Sequence, residues 1–422
     1  MGRALRDLWL PASVAAVCGL ALAVLGMPTP AFTDYELEAE TSLQALRSGD
    51  VAGFLAGAPA YGGSLVLRAP FAFLPDLWGG GDHALFRTMA LPCLAAAAVL
   101  SVVLFQRARA LGGPKSTCWI VLLLVAACPL SLKAIEIGHP EEVLGAALCV
   151  GAALAAGSRR PGLAGALLGL AIANKPWAVF AVLPLLAMLP AGRLKLLSVA
   201  GAVAGVVMLP LFLDGSGPQM AGAVARDAGT IFQPWQAWWF LGDTGHVVVG
   251  NFGVKPDYRV PPEWLTGIAH PLLVGVPLAV SLLLYPRVRR RPWHEGLLLL
   301  AFAFLLRCVL DTWNISYYSV PFLLSLAAWE LHASRRPPVL SLAAALLAWI
   351  TLVSIPNMAP PDVEAAAYLA WSVPLTVLLG ARLLWPERFR ASRALDVWTS
   401  PLRARGQGIR APGRSLGMPE SR

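Results

Sequence analysis

Residues 8–27 read LWLPASVAAVCGLALAVLGM, a run without a single charged side chain. Coiled as a helix, a run of this length is about 30 Å long, the thickness of a bilayer's hydrocarbon core. In hydrocarbon every backbone amide must be satisfied inside the segment, so the run has to be helical. Arg3 and Arg6 precede it, giving it the make-up of a signal peptide's core. No small-x-small cleavage site follows it and eleven more apolar runs do, so it is expected to stay as an uncleaved anchor.

Those further runs lie at 84–106, 117–132, 142–157, 162–174, 176–191, 195–213, 266–285, 294–310, 316–331, 339–355 and 366–385. Of the whole chain 57% is hydrophobic and 14% charged, against about 25% charged in a soluble domain. The expectation is an all-α polytopic membrane protein of about 12 transmembrane helices. The runs at 162–174 and 176–191 are short and flank Asn174-Lys175-Pro176-Trp177, where proline stops the helical ladder. They read as a thin hairpin or as two half-helices.

Orientation follows from the basic residues, which favour cytoplasmic loops. With the amino terminus inside, 24 of the 33 Lys and Arg fall on the inner face, and 18 of the 24 Asp and Glu on the outer. Both termini are therefore expected inside. One transmembrane domain, 1–386, carries two long extracytoplasmic loops at 28–83 and 214–263. A basic cytoplasmic tail, 387–422, is expected to be disordered and to rest on anionic membrane lipids. The net charge of +9 thus speaks for membrane orientation, not for nucleic acid. Residues 64–78 form a further apolar piece broken by Arg68, Pro70 and Pro75, expected to be re-entrant or interfacial. The six cysteines form no C-x-x-C pair, which argues against a zinc site or a disulfide framework.

Chemistry is expected in the polar loops. Phe32-Thr33-Asp34-Tyr35-Glu36-Leu37-Glu38-Ala39-Glu40 follows the first run. Asp34 and Glu38, or Glu36 and Glu40, would share a helix face, and crowding beside a low-dielectric slab raises a carboxylate's pKa. Such an acid can take a proton from a hydroxyl nucleophile; equally, acids keep a loop wet. Gly138-His139-Pro140-Glu141-Glu142 brings histidine beside carboxylates, suiting proton relay, although Pro-Glu-Glu is also a plain helix start. Lys175 and Arg307 are cations next to apolar sequence, costly at membrane depth and suited to a lipid phosphate. Snorkelling, and for Arg307 an ion pair with Asp311, are the competing structural roles. Trp235, Trp238 and Trp239 can stack on sugar rings or anchor the loop at the interface. No P-loop, G-x-G-x-x-G, H-E-x-x-H or G-x-S-x-G motif is present.

An early acidic residue after a first span with its amino terminus inside resembles the GT-C superfamily of membrane glycosyltransferases. Gly138-His139-Pro140-Glu141-Glu142, with GLAGALLGLAIANKPWAVFAVLPLL at 162–186, resembles glycosyltransferase family 87, the polyprenyl-phosphate-mannose-dependent mannosyltransferase-like proteins. The likeness covers residues 8–385. It implies a sugar donor on polyprenyl phosphate, a lipid or glycan acceptor approaching from outside, and inversion at the anomeric carbon with no cofactor or metal. The catalytic carboxylate maps onto Asp34. Because Tyr35 and glutamates follow, where a second aspartate is expected, Glu36 is the alternative base. On this reading Lys175 and Arg307 hold the donor phosphate. His139, Glu141, Asp311, Trp235, Trp238 and Trp239 contact sugar or acceptor. A secondary transporter or lipid flippase of twelve spans is the rival reading; transporters tend to show repeated halves and broken helices, and here the broken pair is single.

Overall fold

The computed structural model describes residues 2–26, 34–59, 61–214, 232–250 and 253–389. Phe32, Thr33 and the basic tail from residue 390 onward lie outside them, as do residues 215–231 and 251–252 of the second long loop. In chain order the helices are α1 (Gly2–Leu25), α2 (Glu40–Arg47), α3 (Val51–Ala56), α4 (Gly62–Arg68), α5 (Asp82–Ala110) and α6 (Lys115–Ala126). There follow α7 (Pro129–Ile137), α8 (Glu141–Gly157), α9 (Pro161–Asn174), α10 (Val182–Met188) and α11 (Arg193–Leu213). The last are α12 (Glu263–Val288), α13 (Glu295–Leu310), α14 (Val320–Ser334), α15 (Val339–Trp349) and α16 (Pro361–Leu384). Among the described residues the only strands are one hairpin, Val248–Gly250 against Gly253–Lys255. The protein is all-α.

Six of the twelve expected spans are helices long and apolar enough to cross a bilayer: Leu8–Leu25, Asp82–Ala110, Lys115–Ile137, Arg193–Leu213, Glu263–Val288 and Pro361–Leu384. The other six are shorter or broken. Pro129 interrupts nothing in length but bends Lys115–Ile137 into α6 and α7, because Ala127 and Cys128 leave the helical path before it. Pro176 ends α9, and the chain continues as a 3₁₀ turn into the short α10. This matches the short broken pair expected there.

The layering follows from which helices are apolar all round. Every residue of α13 from Glu295 to Leu305 is buried, as are most of α8 and α14; a helix without a polar face belongs in the interior. By contrast α1, α11 and α12 expose Leu20, Val206 and Leu283 to the surroundings, as helices in lipid do. Glycine lets two helices approach closely. A Cβ on Gly165 or Gly169 of α9 would lie 2.5 Å from the carbonyl of Leu196 or Ala200 on α11, the small-xxx-small packing of membrane helices. The central helices α8, α9 and α13 have 17, 14 and 16 residues, short of the roughly 20 needed to span. Where they stop, at one end of the bundle, the charged side chains collect.

Candidate functional site

Pro140 starts α8 and places Glu141 and Glu142 in its first turn, where the helix's positive end favours acids. Glu141 is wholly buried, and its oxygens are shared among three cations. Its Oε1 lies 2.7 Å from His139 Nδ1 and 3.1 Å from Lys175 Nζ, and its Oε2 accepts from Arg68 Nη2 at 3.2 Å. Asn174 donates to its backbone carbonyl at 2.8 Å and accepts from Ser64 at 2.9 Å. Lys175 reaches this point because it precedes Pro176: its backbone is forced out of the helix into an extended conformation. The side chain then crosses the face of Tyr61, with Nζ 3.9 Å from the ring centre.

His139 is held by its neighbours on both sides in sequence. Gly138 takes a left-handed conformation, φ 108°, and closes α7. A Cβ there would sit 2.5 Å from the backbone nitrogen of Tyr35, so glycine is what allows the loop to touch the segment after α1. That contact brings His139 Nε2 to 3.1 Å from Asp34 Oδ2. Asp34 opens a π-turn, Tyr35–Ala39, whose wider winding buries Tyr35 and Ala39; this replaces the i,i+4 pairing expected for the four acids. Both imidazole nitrogens face carboxylates. Burial and Lys175 oppose the ring's charge, but Glu141 and Asp34 outweigh them, and its pKa is pushed up to about 9. The imidazolium therefore donates to both acids. Of the clustered acids, Glu40 is pushed upward, by burial first and then by Asp82 and Glu36. Glu36 stays half-buried.

Glu142 carries the cluster on toward α13. Its Oε1 accepts from the Trp177 indole at 3.0 Å and lies 3.7 Å from Lys175, while Oε2 lies 3.7 Å from Arg307 Nη1. The latter two atoms are buried and have no hydrogen-bond partner among the described residues. The Arg307 guanidinium lies over Tyr318 at 4.1 Å and Trp177 at 5.1 Å. Its carboxylate neighbour is thus Glu142 on another helix; Asp311, one turn on, accepts from the backbone of Trp313 at 3.0 Å.

Asp34, His139, Glu141, Lys175 and Arg307 are therefore brought together. Glu141 is enclosed by cations rather than open to a sugar, and it acts as their shared counter-ion. Trp235, Trp238 and Trp239 make their hydrogen bonds at or beyond the end of α13 and at Asp362. The Trp235 carbonyl accepts from Asn314 at 2.6 Å, Trp238 donates to the Leu310 carbonyl at 2.9 Å, and Trp239 is fully buried, stacked on Phe232 and bonded to Asp362 at 2.8 Å. They fasten the chain before α12 onto the ends of α13 and α16. Sequence reasoning singled out neither Arg68, Tyr61, Ser64 nor Asn174. Arg68 carried a usable signal, a cation inside an apolar piece, the same signal that marks Lys175.

Among the described residues no group of three or more His, Cys, Asp or Glu is disposed to hold a metal ion. The described cysteines are all free thiols. No protein-family model, no curated protein and no solved structure matches the chain.

Proposed function

We propose that this membrane protein is a glycosyltransferase of the GT-C type, moving a sugar, mannose by resemblance, from a polyprenyl-phosphate donor to an acceptor hydroxyl on the extracytoplasmic side of a bacterial plasma membrane. The observation that carries the reading is one unbroken chain of contacts, none longer than 3.7 Å, from Asp34 through His139, Glu141, Lys175 and Glu142 to Arg307. These groups come from four separate parts of the sequence, and ionisable side chains gathered at membrane depth are costly unless used.

In this reading the Asp34 side chain, 29% exposed and the most open group of the chain, takes the proton of the acceptor hydroxyl. The hydroxyl oxygen forms a bond to the anomeric carbon as the bond from that carbon to the phosphate oxygen breaks. The lipid phosphate departs with the electron pair. Arg307 has a buried N–H without a hydrogen-bond partner among the described residues, and with Lys175 it takes up the charge developing on the phosphate. His139 fixes the Asp34 carboxylate by donating to it. Glu141 keeps Lys175, His139 and Arg68 in place.

The test is Asp34→Asn in membranes supplied with polyprenyl-phosphate-linked sugars. Transfer is expected to fall by at least about a hundredfold, within the range for a lost general base, in a protein that still unfolds in one cooperative thermal transition. Wild-type turnover in a folded Asp34→Asn protein would remove Asp34 from the mechanism. Solute uptake by proteoliposomes, without any glycosyl transfer, would favour the transporter reading instead.

A further inference from the structure

The hairpin Val248–Gly250 against Gly253–Lys255 has two unlike faces. Neighbours along a strand point to opposite sides and cross-strand partners to the same side. Val249 pairs with Val254, and Val248 with Lys255. The side of Val248 and Lys255 turns to the protein: both are half-buried, and Lys255 Nζ lies 4.8 Å from the centre of the Tyr258 ring. The other side is open. Val249 is 71% exposed and Val254 64%, and Val247, just before the strand, is exposed as well. A two-stranded ribbon is marginal in water unless its apolar face is covered, so this face calls for a partner.

The height of the hairpin on the molecule is set by Tyr258. That ring meets Trp239 edge-on at 5.6 Å and packs in one apolar cluster with Leu265 and Ala269, in the first two turns of α12. The outer side of the same turns bears Trp264 and Ile268, both exposed. Tryptophan at the start of a lipid-facing helix marks the headgroup layer. Each strand has three residues, about 10 Å, so the hairpin cannot rise far beyond a headgroup layer of about 5–8 Å. Phe240 and Leu241, exposed where Asp243 pairs with Val260, add apolar surface between hairpin and helix.

We infer that the valine face of this hairpin docks on the bilayer surface beside the start of α12, with Val249 and Val254 entering the boundary between headgroups and acyl chains. Lipid is the occupant because the face continues the lipid-facing side of α12, and the Val249–Val254 pair offers no charge to select a headgroup or a charged partner. Docking holds the segment before α12 down beside the helix ends that its tryptophans fasten. None of this depends on sugar transfer.

The test puts a nitroxide on the full-length protein at Val249→Cys, at Val254→Cys and, as a control in water, at Ser48→Cys on the exposed turn after α2. The protein is held in vesicles of phosphatidylglycerol and phosphatidylethanolamine. Its described native cysteines are buried apart from the half-buried Cys18, and the unsubstituted protein gives the background. Oxygen, which concentrates among acyl chains, should relax the labels at the two valine sites more than a water-soluble nickel chelate does. At the Ser48 site the order should reverse. Adding Val254→Asp should bring the label at the Val249 site to the order seen at the Ser48 site, since a carboxylate resists transfer out of water. Vesicles of phosphatidylcholine alone should give the same pattern. Nickel access at the valine sites equal to that at the Ser48 site would overturn the inference, as would an oxygen preference that vanishes without phosphatidylglycerol. Spin–spin broadening at the Val249 site, removed by dilution with unlabelled protein, would assign the face to a second copy instead, the edge-to-edge pairing that open strands permit.

Discussion

Two long segments cap the same end of the bundle, and they do opposite things. The one between α1 and α5 sends Asp34, Tyr61, Ser64 and Arg68 into the charged cluster. The one before α12 sends three tryptophans and Arg259 into packing and fastening contacts. The difference lies in what each side chain needs once buried. A cation at membrane depth must find a carboxylate, so it is drawn to wherever acids have been placed. An indole buries mostly apolar area and has a single donor: Trp238 finds a helix-end carbonyl and Trp239 a carboxylate at the rim, while the Trp235 indole N–H is buried with no partner among the described residues. Buried cations therefore gather at the cluster, where Tyr61, Trp177 and Tyr318 lie against them, while the tryptophans of the second segment close a seam.

Glu141→Ala should break this comparison most severely. It would leave Arg68, Lys175 and His139 buried around an empty place, and stranding one partner of a buried ion pair costs about 3–5 kcal/mol. The thermal midpoint in detergent should drop more than for any single substitution in the second segment. Trp238→Phe, losing one hydrogen bond to the Leu310 carbonyl, should cost about 1 kcal/mol. Equal losses for the two would mean that the charges are no more structural than the tryptophans.

Gly138→Ala comes next. The left-handed backbone costs a non-glycine residue about 1–2 kcal/mol, and its Cβ would be 2.5 Å from the Tyr35 nitrogen, so the loop and the π-turn must part. Roughly 2–4 kcal/mol is expected in all. The segment after α1 should become more open to proteolysis, with the segment before α12 unaffected.

How much of this was legible follows the same division. The apolar runs gave the helical class, since backbone in lipid has no other solution, and six of the twelve are helices long and apolar enough to cross. A fully buried helix such as α13 can be apolar and still too short to cross, because protein rather than lipid surrounds it. Lys175 and Arg307 stood out as cations in apolar sequence, and His139 as a histidine between acids. Arg68 carried the same signal but sat in a piece broken by prolines. Asn174 and Ser64 were beyond reach, because their roles come from α4 crossing the end of α9, a long-range contact that no local pattern encodes. The tryptophans could not be assigned from sequence, because stacking on a sugar and sealing a seam demand the same residue.

A pH series sharpens the comparison at smaller amplitude. The His139 proton is held more tightly in the folded state, at about 9 against an ordinary 6.5. Its contribution to stability is therefore fully present below about 6.5 and is lost as pH rises through about 9. The thermal midpoint should fall across that window, and His139→Asn should flatten the fall. Retention of the full slope in His139→Asn would assign it to other groups.

The smallest effect belongs to the fork that pins the second segment. Arg259 donates to both oxygens of Asp362, at 2.9 and 2.8 Å, and to the Gly242 carbonyl at 3.1 Å. The geometry is as good as that around Glu141, yet the Asp362 side chain is 49% exposed. Water screens the pair and takes over when one partner goes, which keeps such contacts near 0.2–1 kcal/mol. Asp362 would also retain the Trp239 indole at 2.8 Å and its place in the first turn of α16. Arg259→Ala should thus lower the midpoint by no more than a surface pair allows and leave any sugar transfer unchanged. A loss rivalling that of Glu141→Ala would show that bond geometry, not burial, sets the strength of these ion pairs, and the contrast between the two segments would have to be redrawn on that basis.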